Sequence, residues 1–201
     1  MKRLRIFAAA DAHADLANLS RSLRRAEELG ADVIAYSGDI ESVEGVKLLA
    51  SCPIPALMVA GNMDWPEIID EARRAGILVE GELREFEGYY FLGVSGLFHA
   101  NSALKAYQLA KGVKAPIILI SHHPPYGSKV DVTFNGAHIG SKYVRKMVED
   151  LNVILNLSGH VHEARGVDRV GRALVINPGP LSMGYCALVE VPSLRYELLR
   201  V

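Results

Sequence analysis

The chain has 201 residues, half of them hydrophobic, with 22 Lys+Arg against 23 Asp+Glu and a formal net charge of −1. That length suits one compact domain spanning 1–201, and the neutral balance gives no electrostatic reason for tight non-specific binding to nucleic acid or to a membrane. The two cysteines, Cys52 and Cys186, lie outside any Cys-x-x-Cys spacing, which sets aside a disulfide framework and a thiolate zinc site. The basic N-terminus is followed by an apolar run too short for a signal peptide, and no stretch approaches the ~20 apolar residues of a membrane span, so a cytoplasmic protein is expected.

Leu4 to Ala10 reads as a buried strand. Leu16, Leu19, Leu23 and Ala26 then recur at helical spacing until Gly30 can cap the helix, with Arg21, Arg24, Arg25, Glu27 and Glu28 on its solvated face. A strand over 32–37, a helix over 43–50 and an apolar run over 56–60 follow, before a helix opened by Trp65-Pro66, proline suiting the first turn. This alternation implies a parallel sheet with right-handed crossovers. Leu83 to Val94 forms two strands around Glu87-Gly88. Helices near 102–111 and 139–151 precede strands at 116–120 and 153–157. Hairpins around Gly171 and around Pro192-Ser193 close the chain. Parallel units in front and antiparallel strands behind are enough for two sheets packed face to face with helices outside.

Five apolar strands each run into residues that can bind a metal: Asp11 and His13 after the first, Asp39 after the second, Asn62 after the third, His122 with His123 after 116–120, and His160 with His162 after 153–157. C-terminal strand ends of a parallel sheet converge on one edge, where ligands bind, so these residues are expected to be neighbours in space. Asp11 and His13, like His160 and His162, lie two apart and can project to one side of an extended segment. Gly38, Gly61 and Gly159 directly precede donors, where a crowded crest needs close backbone approach. Oxygen and imidazole donors without sulfur fit manganese, iron, cobalt, nickel or zinc, with manganese the first choice, better than magnesium or calcium.

Asp11-Ala-His13, Gly38-Asp39, Gly61-Asn62, His122 and Gly159-His160-Val161-His162 together resemble the ordered signature of the calcineurin-like metallophosphoesterases. The resemblance spans nearly the whole chain and implies a four-layer α/β/β/α sandwich of two mixed sheets. It assigns Asp11, His13, Asp39 and His162 to one divalent ion and Asp39, Asn62, His122 and His160 to a second, with Asp39 bridging. It implies in-line hydrolysis of a small phosphate ester by metal-bridging hydroxide. The family's frequent Gly-Asn-His-Asp/Glu appears here as Gly61-Asn62-Met63-Asp64, and a thioether cannot deliver the proton that the family's histidine is thought to supply. Phosphodiesters are therefore expected over monoesters, with esters of good leaving groups favoured or another histidine donating. A nucleic-acid substrate is less favoured, a non-catalytic interaction scaffold is the rival from another class, and a homo-oligomer is compatible with the sequence.

Other residues carry two readings. Asp64, ahead of Trp65-Pro66-Glu67, has the form of a helix N-cap with Glu67 in the capping-box position. His123 either orients phosphate, joining Asp39 and Asn62 as catalytic, or packs at the turn before Pro124-Pro125. His99 reads as a surface-loop histidine, and His138 as a substrate contact or a helix-entry residue. Asn177-Pro178-Gly179-Pro180 reads as a rigid turn. Tyr126 and Phe134 could stack on a base or aryl group, with packing as the default.

Overall fold

The computed structural model describes residues 2–97 and 99–201. One five-stranded sheet contains β1 (Leu4–Ala9), β2 (Val33–Tyr36), β3 (Ala56–Met58), β10 (Tyr185–Val191) and β11 (Arg195–Arg200), in the order β11-β10-β1-β2-β3. A six-stranded sheet contains β4 (Leu83–Phe86), β5 (Tyr89–Val94), β6 (Ile117–Ser121), β7 (Val153–Leu157), β8 (Gly166–Val170) and β9 (Ala173–Asn177), in the order β4-β5-β6-β7-β9-β8. Both sheets are mixed. β1, β2 and β3 run parallel, as do β5, β6, β7 and β9, while the late hairpins add antiparallel edges.

The period-two pattern of each strand sorts the core into layers. In β1, Leu4, Ile6 and Ala8 point between the sheets and meet Ile118 and Ile120 of β6. Phe7 and Ala9 point the other way, onto helices α1 (Leu16–Glu28), α2 (Val43–Ala50) and α3 (Pro66–Arg74) through Leu19, Leu23, Val46 and Ile68. Ile117 and Leu119 of β6 pack outward against α4 (His99–Ala110) and α5 (Lys142–Asp150) through Ala103, Ala106, Val144 and Met147. The expected α/β/β/α sandwich is therefore the observed one, its central layer an apolar seam between two sheets.

Local signals place most element ends. Gly30 ends α1 in the left-handed region at φ +61°, and its N–H donates to the Glu27 carbonyl at 2.9 Å. Pro66 occupies the first turn of α3. Two helices differ from their expected spans. α4 begins at His99, and α5 begins only at Lys142 because Ser141 is its N-cap, accepting the Val144 N–H at 3.0 Å. The preceding Ile139 N–H is committed elsewhere, to the Asp131 carbonyl at 3.1 Å. Among the described residues no helix is long and apolar enough to cross a membrane.

Candidate metal centre

The donors at the five strand ends meet at one place, and they come from both sheets. β1, β2 and β3 deliver Asp11, His13, Asp39 and Asn62, while β6 and β7 deliver His122, His160 and His162. Backbone bonds stitch the crests together: the Asp11 N–H donates to Gly38 O at 2.9 Å, the His13 N–H to Asp39 O at 3.1 Å, and the Gly159 N–H to His122 O at 3.0 Å. The Asp11 carboxylate accepts the His160 N–H at 3.0 Å, and the Tyr36 hydroxyl accepts the Ala12 N–H at 3.0 Å.

The expectation that each pair two apart projects from extended backbone is corrected by the dihedrals. Asp11 (φ 57°), His13 (φ 48°), Asp39 (φ 54°) and His160 (φ 69°) all occupy the left-handed region, and His162 opens a 3₁₀ turn over His162–Ala164. Convergence comes from tight left-handed turns just beyond the strands. For residues other than glycine that conformation is costly, and it persists where the surroundings over-determine it, typically at functional sites. Gly61 shows how tight the crest is: a Cβ there would stand 1.9 Å from Asp39 Oδ1 and 2.4 Å from Asp39 N.

Two close pairs of potential ligand atoms define the centre. The His13 Nδ1–H donates to the Glu41 carboxylate at 2.5 Å, which leaves His13 Nε2 as the free lone pair, 3.1 Å from His162 Nε2. The His122 Nδ1–H donates to the Ser37 carbonyl at 2.8 Å, which leaves His122 Nε2 facing Asn62 Oδ1 at 2.8 Å and Asp39 Oδ2 at 3.5 Å. Acceptors pressed together in this way repel unless a proton or a cation lies between them. Asp11, His13 and His162 bring ligand atoms together within 4.8 Å, as do Asp11, Asp39 and His122, and His13, Asp39 and Glu41. This donor set suits borderline divalent cations. Asp11, Asp39 and His122 are buried, His13 and His160 are half-buried, and Asn62 and His162 are exposed, so the cluster opens on one side.

Electrostatics follow from this packing. Burial lifts the Asp39 carboxyl above its ordinary range despite the nearby His122. Burial first, then His122, lowers His160 to about 4. The Asp11 carboxylate, 3.8 Å from its Nε2, raises His162. His123 is lowered to about 2, by burial first and then by His160, His122 and His99. Its ring lies 4.2 Å from that of His160 and 4.8 Å from that of His99, centroid to centroid, and its buried Nδ1 has no hydrogen-bond partner among the described residues.

Three readings of neighbouring residues change. Asp64 caps no helix: Trp65 holds the N-cap position without a side-chain bond. The buried Asp64 carboxylate instead accepts the N–H groups of Gly61 at 2.8 Å, Glu41 at 2.9 Å and Asp39 at 3.0 Å. His99 is a half-buried helix residue whose Nε2 accepts from the Ser141 hydroxyl at 2.5 Å. Phe134 does not pack; it is 94% exposed. The Asn177–Pro180 turn is structural, with Asn177 Nδ2 donating to Val161 O at 2.8 Å and its Oδ1 accepting the Gly179 N–H at 2.9 Å. His138 pairs with the buried Asp131 at 2.6 Å. Glu41 is a further functional residue whose signal in the sequence is its position: it lies two residues beyond Asp39, the same spacing that separates Asp11 from His13.

Comparison with known proteins agrees with this fold. Residues 4–191 match the calcineurin-like phosphoesterase superfamily domain, and the chain belongs to that family. It is 32% identical over 173 residues to the uncharacterized protein MJ1162 of Methanocaldococcus jannaschii, covering 76% of this chain and 79% of that one. Among solved structures, TT1561 of Thermus thermophilus superposes with a TM-score of 0.80 at 21% identity over 99% of both chains. A protein described as a novel archaeal phosphodiesterase superposes with a TM-score of 0.66 at 15% identity, over 98% of this chain and 100% of that one. At these identities the superpositions speak for the fold alone.

Proposed function

We propose that the chain is a metal-dependent phosphodiesterase with two divalent ions, one held by Asp11, His13, Asp39 and His162 and the other by Asp39, Asn62, His122 and His160. The observation that carries this reading is the close facing of ligand atoms, His13 Nε2 against His162 Nε2 at 3.1 Å and His122 Nε2 against Asn62 Oδ1 at 2.8 Å, with the Asp39 carboxylate next to the second pair. Two such ions, when bound, lower the pKa of a water and neutralise charge on the phosphoryl oxygens. Manganese, iron, nickel, cobalt and zinc all suit the donors, and manganese is the first to try.

The chain's own groups hold this arrangement in place. Glu41 and the Ser37 carbonyl fix the Nδ1–H tautomers of His13 and His122, so each ring presents Nε2 inward. Asp64 holds the Asp39 turn through the backbone. Asn62, exposed at the open side, and His123, neutral near physiological pH because of its burial, are the groups that meet the phosphoryl oxygens. Met63 is 48% exposed at the rim and offers no proton to a leaving oxygen. That favours diesters with leaving groups that depart without protonation. The archaeal phosphodiesterase of like fold is consistent with this choice. The chain works as a single domain over 1–201, in the cytoplasm, on a small phosphate ester. An interaction scaffold is disfavoured because all seven donors are present.

The test is hydrolysis of bis-p-nitrophenyl phosphate and p-nitrophenyl phosphate by metal-stripped protein after each metal is restored, with Asp39→Ala as control. Metal-restored diester turnover that exceeds monoester turnover and vanishes in the control is expected. Monoester preference would overturn the argument from Met63, and metal-independent turnover would overturn the metal centre.

A further inference from the structure

The loop over 125–141, between β6 and α5, is held unusually firmly for an exposed segment. The fully buried Asp131 carboxylate accepts the Gly127 N–H at 2.9 Å and the Gly140 N–H at 3.1 Å, and it pairs with His138 Nδ1 at 2.6 Å. A bridge between Val132 and His138 and a bond from the Thr133 N–H to Ala137 O at 2.9 Å close its tip. The Lys129 N–H is tied to Asp168 at 2.9 Å.

This pinned tip presents Phe134, which is 94% exposed. A single exposed apolar side chain is ordinary on a protein surface; Phe134 stands apart because a pinned loop holds its ring beside the metal crest. The tip borders the metal crest: the Phe134 N–H donates at 3.2 Å to the carboxylate of Glu163, the residue directly after His162. The same loop carries Tyr126, 39% exposed, with Lys142 Nζ 5.2 Å from its ring centroid and the His138 ring 5.8 Å away. Aromatic faces with a cation beside them, next to a phosphate-ester centre, suit an anionic substrate that also carries a flat ring.

Resting on the phosphodiesterase reading above, we propose that the 125–141 loop is a substrate-recognition element on which Phe134 stacks against a planar aromatic substituent of the phosphodiester, either an aryl group or a nucleobase. Phe134 is then a specificity residue that meets the part of the ester remote from the bond being cleaved. Asp131 is a positioning residue that keeps the tip in its bound shape, which reduces the ordering cost of binding.

The test compares three diesters that share a p-nitrophenyl leaving group and differ in the other substituent: methyl, phenyl, and thymidine through its 5′ oxygen. Wild type, Phe134→Ala and Phe134→Trp are assayed with manganese restored, and thymidine 5′-monophosphate binding is measured separately by equilibrium dialysis. Phe134→Ala should raise KM about five- to thirtyfold for the ring-bearing esters, in line with one stacking contact, with kcat and the methyl ester little changed; Phe134→Trp should restore KM. A phenyl effect alone identifies an aryl site, and a thymidine effect alone a base site. Equal KM values in wild type and Phe134→Ala on all three esters overturn the subsite while leaving the phosphodiesterase reading intact. If wild type turns over none of them, that reading fails, and dialysis decides the subsite: weaker nucleotide binding in Phe134→Ala supports it and unchanged binding overturns it. Sedimentation of both proteins covers the competing occupant, a second copy of the chain. A dimer lost in Phe134→Ala with KM unchanged assigns the ring to an interface and overturns the proposal.

Discussion

The carboxylate of Asp64 accepts the backbone N–H of Asp39 at 3.0 Å, so one buried aspartate fixes the turn that carries another. The same carboxylate holds Gly61 and Glu41, which makes Asp64 the tie between the second and third strand ends. Asp64→Ala leaves three N–H groups without their acceptor. At about 1–3 kcal/mol for each buried unsatisfied group, relieved in part by water, a loss of about 3–5 kcal/mol is expected. It should appear as a fall in Tm of about 10 °C in metal-free protein, and a Tm within two degrees of wild type would show the tie to be dispensable.

Glu41 acts through His13. Removing its carboxylate frees the imidazole to turn and to change tautomer, so Glu41→Ala should weaken metal binding about 10- to 100-fold. Metal-free stability should hardly change, because Glu41 is only half-buried. Glu41→Gln, whose amide oxygen can still accept the Nδ1–H, should recover part of the loss. Competition with a chromophoric chelator reads both variants, and unaltered affinity in Glu41→Ala would rule out the positioning role.

Gly61→Ala separates a clash from backbone strain. The new methyl would collide with Asp39 at 1.9 Å, and Gly61 is not among the glycines with positive φ. Displaced by the collision, Asp39 would leave the place that the proposed centre gives it between two sets of donors, and diester hydrolysis should fall at least ~100-fold. Gly76→Ala is the matched control: its methyl meets nothing within 4 Å at φ +73°, so it costs about 1–2 kcal/mol of left-handed strain and no activity. Full activity in Gly61→Ala would contradict the geometry of the crest.

Glu80, which is not one of the donors, supplies a separate pH signature. Burial, chiefly, raises its carboxyl above the ordinary value, against hydrogen bonds from Ser95 and Ser102 and the charges of Arg73 and Lys105. The sign follows directly. A carboxyl that binds its proton more tightly folded than unfolded subtracts stability once both states are ionised, and returns it as the pH falls through the raised value. Glu80→Gln should therefore raise Tm by about 1–2 °C at pH 7 and leave it unchanged at pH 3, where wild-type Glu80 is protonated. A lower Tm at pH 7 would mean that the cationic neighbours outweigh burial.

The strands and the donors were legible because both rest on local pattern. Short continuous apolar runs mark β1, β2, β6 and β7, strands buried on both faces, and Asp, Asn or His directly beyond them marks the crest. Three things were not legible. Asp64 was misread because a helix cap and a loop tie use the same chemistry, a carboxylate accepting backbone N–H groups, and only the fold shows that these come from Gly61, Glu41 and Asp39. The left-handed turns at Asp11, His13, Asp39 and His160 leave a faint trace, since Asp and His tolerate that region better than most residues. The exposure of Phe134 is set by Asp131 and the path of its loop, which no periodicity encodes. Even the convergence expected within one parallel sheet is made across two, with His122 bonding Ser37 and His160 bonding Asp11 over the seam.

The most direct measurement is the number of manganese ions bound per chain at saturation, by equilibrium dialysis with elemental analysis, for wild type and Asp39→Ala. Two ions in wild type are expected, with the loss of Asp39, which the proposed sites share, weakening both. Wild type binding one ion or none at millimolar manganese, with zinc, cobalt, nickel and ferrous iron doing no better, would contradict the dinuclear centre.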